Sequence, residues 1–138
     1  MMNDKIQPYP PILAVDFDGT ITRDNDFPNC GELMPGAKEV LKELHELGCI
    51  VILYTCRVGQ DLVAAVKHCR HNKIPIDYVN RNIPQIEGKY AYPKIFANYY
   101  IDDLNLGGFP GWERVKEIVL QDPYFIHKKS DYYQVKGR

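Results

Sequence analysis

Two short apolar runs, residues 12–15 and 49–54, constrain this chain most: each is too short for a buried helix, and each gives way at once to polar residues. Runs of four to six residues rich in Val and Ile, without polar alternation, mark strands covered on both faces, as in a parallel sheet. Between them Pro35 suits a helix start, Ala37, Val40, Leu41, Leu44 and Leu47 recur on one face, and Gly48 is placed to end the helix. Residues 59–72 predict a second helix, with Leu62, Val63, Val66 and Cys69 on its packing side and Lys67, Arg70 and His71 facing away. Residues 77–80 predict a weaker strand and 98–101 another. After the glycine-rich turn at 107–111, Trp112, Val115, Ile118 and Val119 share the face of a last helix. Residues 20–35 and 83–93 read as loops, rich in Pro, Gly, Asp and Asn. Strand alternating with helix predicts a parallel α/β sheet with helices on both faces and right-handed crossovers. With 138 residues, no internal repeat and no linker, a single domain over 1–138 is expected.

Composition removes several functional classes. Seventeen Lys and Arg against eighteen Asp and Glu leave a net charge of -1, so no global field draws the chain to nucleic acid or an anionic membrane. No apolar stretch approaches the roughly 20 residues a bilayer span needs. Residues 1–11 are polar and carry prolines, unlike a secretory leader, and a cytoplasmic protein is expected. Cys30, Cys49, Cys56 and Cys69 form no C-x-x-C pair, which favours reduced, packed thiols over disulfides or zinc. Tyr124, Phe125, Tyr132 and Tyr133 alternate with Lys128, Lys129, Lys136 and Arg138, a weak likeness to a single-strand-binding surface. Packing of 124–126 back onto the domain is the simpler expectation.

In open parallel sheets ligands bind outside the carboxyl ends of the strands. There the sequence puts Asp16 and Asp18 after the first strand and Asp102 and Asp103 after the late one. Four ionised carboxylates at one place repel each other and need a cation. Hard oxygen donors without His or Cys favour Mg²⁺, which keeps waters and takes one or two carboxylates plus phosphate oxygens. Gly19 permits a tight turn whose amides, with Thr20, point toward an anion. Thr55 ends the second strand, and Lys94 lies on the connection into the late one. Both suit phosphoryl oxygens.

Asp16-Phe17-Asp18-Gly19-Thr20, Thr55, Lys94 and Asp102-Asp103, in that order and at strand ends, resemble the four motifs of the haloacid dehalogenase-like superfamily over residues 12–103. The resemblance implies a three-layer α/β/α Rossmann-like fold and a Mg²⁺-dependent phosphomonoester hydrolase. In it Asp16 is the nucleophile that becomes an aspartyl-phosphate, and Asp18 the general acid and base, with a raised pKa. Metal ligation would fall to Asp16, the backbone carbonyl of Asp18, Asp102 and, through water, Asp103. Thr55 and Lys94 would hold the phosphoryl group, with Lys89 the competing lysine, helped by amides near Asp18 and Cys56. A phosphotransferase or mutase with the same intermediate, or a non-catalytic Mg²⁺ and phosphate binder, are the alternatives.

Many superfamily members carry a cap domain after the first motif or between the second and third. Here both intervals are short, so a capless member is expected, open to a bulky phosphorylated substrate or closed by a second subunit. Arg57, two residues past Thr55, is expected at the rim, gripping a second phosphate or a carboxylate. Arg81 is a weaker candidate for that role, and Asp24, Asn25 and Asp26 in the first loop could reach the substrate, although turn composition explains them equally well.

Overall fold

The computed structural model describes residues 7–24, 26–90 and 92–126. Asn25 and the basic-aromatic residues Lys128, Lys129, Tyr132, Tyr133, Lys136 and Arg138 lie outside them.

Strand β1 (Ile12–Val15) is the hydrophobic centre, with all four side chains buried. Such a strand needs neighbours on both edges and cover on both faces. It pairs in parallel with β2 (Ile50–Leu53) on one side and β4 (Tyr99–Ile101) on the other, and β3 (Tyr78–Val79) adds to β2. The order is β3-β2-β1-β4. Chain progress runs outward from β1 to β3 and then returns across the sheet to β4, so the direction reverses beside β1. Val15 stands opposite Leu53 and Ile101, so the three strands end level with one another.

Period-2 alternation divides the sheet residues between two cores. Leu13, Val15, Val51, Leu53 and Ile101 face helices α1 (Ala37–Glu46), α2 (Gly59–His71) and α4 (Trp112–Val119). Ile12, Ala14 and Ile52 face a smaller cluster containing Ile83, Ile86 and Ala97. That second layer is thin: its one helix is α3 (Pro84–Glu87), and irregular chain supplies the rest. The sequence reading took 83–93 as loop, but Pro84 at the first helical turn starts a short helix whose Ile86 is buried.

Helix faces follow the expected periodicity with four corrections. Leu47, Val63 and Ile118 are exposed, whereas Ala65, absent from the expected packing face, is fully buried in α2. Val63, two residues before Ala65, lies about 200° around the helix from it and so points away from the core. Gly36 precedes α1 at φ 84°, and a Cβ there would lie 3.1 Å from Cβ of Trp112, so α1 and α4 meet where that side chain is missing. All four cysteines are free, and burial pushes the Cys49 and Cys69 thiols up to about 12. Among the described residues no helix is long and apolar enough to cross a membrane.

Candidate active site

The level strand ends bring Asp16, Thr55 and Asp102 to one edge of the sheet, beside the reversal in strand order where parallel sheets place ligands. Carboxylate oxygens of Asp16, Asp102 and Asp103 all lie within 4.8 Å of one another. Thr20, fully buried, organises them: its hydroxyl donates to Asp16 Oδ2 at 3.3 Å and accepts from the Asp103 amide at 3.0 Å. The indole N–H of Trp112 holds the Thr20 carbonyl at 2.8 Å, tying this turn to α4. Asp102 Oδ1 accepts from the Leu104 amide at 2.9 Å.

Packing requires the glycine between these groups. Gly19 sits at φ 86°, and a Cβ there would run into the carboxylate of Asp103. Its amide donates to the Thr22 carbonyl, while the amides of Thr20, Ile21 and Thr22 converge on the carbonyl of Phe17. The expected anion cradle at Gly19 and Thr20 is thereby corrected. Those amides close the turn internally, and both residues serve the carboxylates instead of facing a substrate.

No lysine or arginine forms an ion pair with Asp16, Asp102 or Asp103 among the described residues. Burial, and next the neighbouring Asp102 charge, push the Asp16 carboxyl up to about 7, against a pull from the Phe17 amide. Asp103 is also raised, by burial first, while its hydrogen bond with Asp16 acts the other way.

Asp18 departs from the expected arrangement. Its carboxylate is absent from the group of three and forms a bidentate pair with Arg57, Nε to Oδ2 and Nη2 to Oδ1, both at 2.7 Å. The Arg57 side chain is 1% exposed. Its remaining N–H groups donate to the carbonyls of Pro28, Asp61 and Asn29, so all five donors are used. Phe17 and Phe27 hold the guanidinium carbon at 5.0 and 4.9 Å from their ring centroids. A buried guanidinium requires a carboxylate partner, and Asp18 supplies it. Hydrogen bonding to Asp18 in turn raises the Arg57 pKa. The expectation of Arg57 as a rim residue gripping substrate is therefore corrected, because it binds the chain's own loop.

That loop is more ordered than the sequence suggests. Thr22 bridges Leu33, Arg23 N–H donates to the Glu32 carbonyl and Met34 N–H to that of Ile21. Ile21 and Thr22 are fully buried at its base, whereas Asp24 and Asp26 at the tip are exposed.

Thr55 is half-buried at the end of β2, its hydroxyl accepting from the Arg57 amide at 3.1 Å, and Cys56 beside it is exposed. Asn80, not singled out by the sequence reading, clamps this turn: its Oδ1 accepts from the Thr55 amide and its Nδ2 donates to the Thr55 carbonyl. An Asn after a strand, at φ 50°, is the available signal. Lys94 is exposed and makes no pair with Asp16; its Nζ lies 4.7 Å from the Tyr100 ring centroid, on β4. Lys89 lies over Tyr90 instead, and Arg81 pairs with Glu87 at the surface.

No family model and no curated protein matches the chain. Among solved structures it is similar to a conserved protein from Bacteroides thetaiotaomicron, with 35% sequence identity and a TM-score of 0.73 over 80% of this chain and 89% of that one.

Proposed function

Because the chain belongs to the family of the conserved Bacteroides thetaiotaomicron protein, a kinship that assigns no reaction, we propose a reaction from its own residues. It is a phosphomonoester hydrolase of the haloacid dehalogenase-like type, without a cap, dependent on Mg²⁺ and working through an aspartyl-phosphate on Asp16. One observation carries the reading: three carboxylates converge at the carboxyl ends of β1 and β4 with no cationic side chain among the described residues paired to them.

The donor set fits a hard divalent cation, since all its atoms are carboxylate oxygens and the Asp102 charge, after burial, raises the Asp16 carboxyl. Asp16 and Asp102 would hold the ion directly, with Asp103 through water and Asp18 through its backbone carbonyl. Bound there, Mg²⁺ would keep Asp16 ionised and offset negative charge on the phosphoryl oxygens.

Asp16, fixed by Thr20, attacks phosphorus in line, so that its oxygen–phosphorus bond forms as the ester bond breaks. Asp18 gives the leaving oxygen a proton, then takes one from the water that hydrolyses the acyl phosphate. Both Asp18 oxygens are occupied by Arg57, so at least one of those hydrogen bonds opens in each cycle. Thr55, with its acceptor side committed to Arg57, keeps its O–H for a phosphoryl oxygen. Lys94 swings from Tyr100 to supply a positive charge. The short folded loop between β1 and α1, stapled by Arg57, supports the absence of a cap.

Hydrolysis of 4-nitrophenyl phosphate by the purified chain, with Mg²⁺ and with chelator, tests the proposal, with Asp16→Asn run in parallel. Activity lost with either the metal or Asp16 is the expected result. A second reading, a Mg²⁺ and phosphate binder without turnover, draws on the closed Asp18–Arg57 pair. Phosphate binding with no hydrolysis of any ester would favour it and overturn the enzyme.

A further inference from the structure

A cavity of about 300 Å³ on the connection leading into β4 is walled by Tyr92, Pro93, Lys94, Ile95, Phe96 and Tyr100. That volume is at the bottom of the ~300–1,000 Å³ range of small-molecule sites, enough for one ring system. Its connection to the carboxylates is structural. Tyr100 belongs to β4 two residues before Asp102, and its carbonyl accepts from Asn105 in the loop beyond Asp103 at 2.7 Å. The Tyr54 ring, next to Thr55, is 6.4 Å from that of Tyr100.

The lining has a defined chemistry. The Tyr100 hydroxyl donates to the Ile95 carbonyl at 2.6 Å and accepts from the Ala97 amide at 3.1 Å, which fixes the ring. Tyr92 is 47% exposed and stacks parallel to Tyr90 with centroids 5.0 Å apart. Lys94 is the cavity's cation, held over the Tyr100 face on the connection leading into the strand that ends at Asp102. A flat π-system can stack on such rings, whereas an aliphatic polyol would leave hydroxyls against apolar walls.

We propose that this cavity is a specificity subsite for an aromatic ring on the substrate, so that the chain selects phosphomonoesters of aryl or nucleoside type over those of aliphatic alcohols. The proposal rests on the phosphatase reading for its phosphate end. The ring occupies the cavity while the phosphoryl group reaches Asp16, and Lys94, at the border, turns toward the phosphate.

Steady-state kcat/KM for adenosine 5′-monophosphate, phenyl phosphate and glycerol 3-phosphate tests it. The nucleotide and glycerol phosphate both release an alkyl alcohol, so their ratio reports recognition and not leaving-group reactivity. The expected ratio is about tenfold or more, falling toward one in Tyr92→Ala and kept in Tyr92→Phe. Preference for phenyl phosphate alone over glycerol phosphate, lost in the same variant, would assign the aryl class. Equal rates for all three, or a preference unchanged in Tyr92→Ala, would overturn the subsite. If no ester is hydrolysed, the phosphatase reading fails by itself. The subsite is then decided by proton NMR of the Tyr92 and Tyr100 rings on titration with adenosine 5′-monophosphate and Mg²⁺: ring shifts uphold it, and unchanged rings at millimolar nucleotide overturn it.

Discussion

Asp16 and Asp18 sit two residues apart on one turn and meet opposite electrostatic solutions. Asp18 faces a buried guanidinium that uses both its oxygens. Asp16 faces Asp102 and Asp103, and burial with their charge lifts its carboxyl to about 7. One carboxylate is neutralised by a paired arginine, and the other has no cationic partner among the described residues. The cluster without a paired cation is where the proposed chemistry with an external one is placed, while the Asp18–Arg57 pair holds the loop before α1 together.

The largest expected effect tests the unpaired side. Asp16→Asn should lower Mg²⁺-dependent hydrolysis more than about a thousandfold with the fold retained, because the nucleophile is lost. A rate near that of the native chain would remove Asp16 from the reaction.

The same substitution should have opposite signs on stability at the two sites. Asp18→Asn leaves Arg57 buried without its counter-charge and should cost roughly 3–5 kcal/mol in denaturant unfolding. Asp102→Asn removes a repelling charge and should stabilise the metal-free protein at pH 8 by about 1 kcal/mol. Changes of equal sign would dissolve the contrast. Arg57→Lys should not restore the loss, since an ammonium cannot reproduce the bidentate geometry or the stacking on Phe17 and Phe27.

A third effect is a shift with pH. The folded Asp16 pKa is raised, so its contribution to stability is fully present below the ordinary carboxylate range and is lost as pH rises toward about 7. Mg²⁺ should therefore raise the melting temperature more at pH 8 than at pH 5, where binding must first displace a proton. Equal shifts at both pH values would contradict a raised carboxyl pKa at this site. In Asp102→Ala saturating Mg²⁺ should no longer produce the thermal shift, worth about 2.7 kcal/mol at a hundredfold excess over Kd.

Sheet and helices were largely legible because the runs at 12–15 and 49–54 and the stripe of Ala37, Val40, Leu41 and Leu44 depend on local periodicity. The rule that ligands gather at strand ends was enough to collect Asp16, Asp102 and Asp103. It could not say which of four acidic residues would be claimed by Arg57, because that choice is made by a contact 39 residues apart. Nor does the position of Arg57 two residues past Thr55 reveal that Phe17 and Phe27 enclose it. The turn amides show the same limit: a Gly-Thr pair after two aspartates signals a tight turn, but only the fold decides whether its N–H groups face a ligand or the Phe17 carbonyl. Helix α3 was hidden because four residues carry too little periodicity to register.

Gly19 gives the site its narrowest tolerance. The Asp103 carboxylate occupies the space where any other amino acid would begin its side chain. A library randomised across this turn should thus find fewer functional replacements at the residue with no reactive atom than at exposed Asp24 or Asp26, and a screen that ranks positions by intolerance would flag a spacer before the acidic residues of the loop tip.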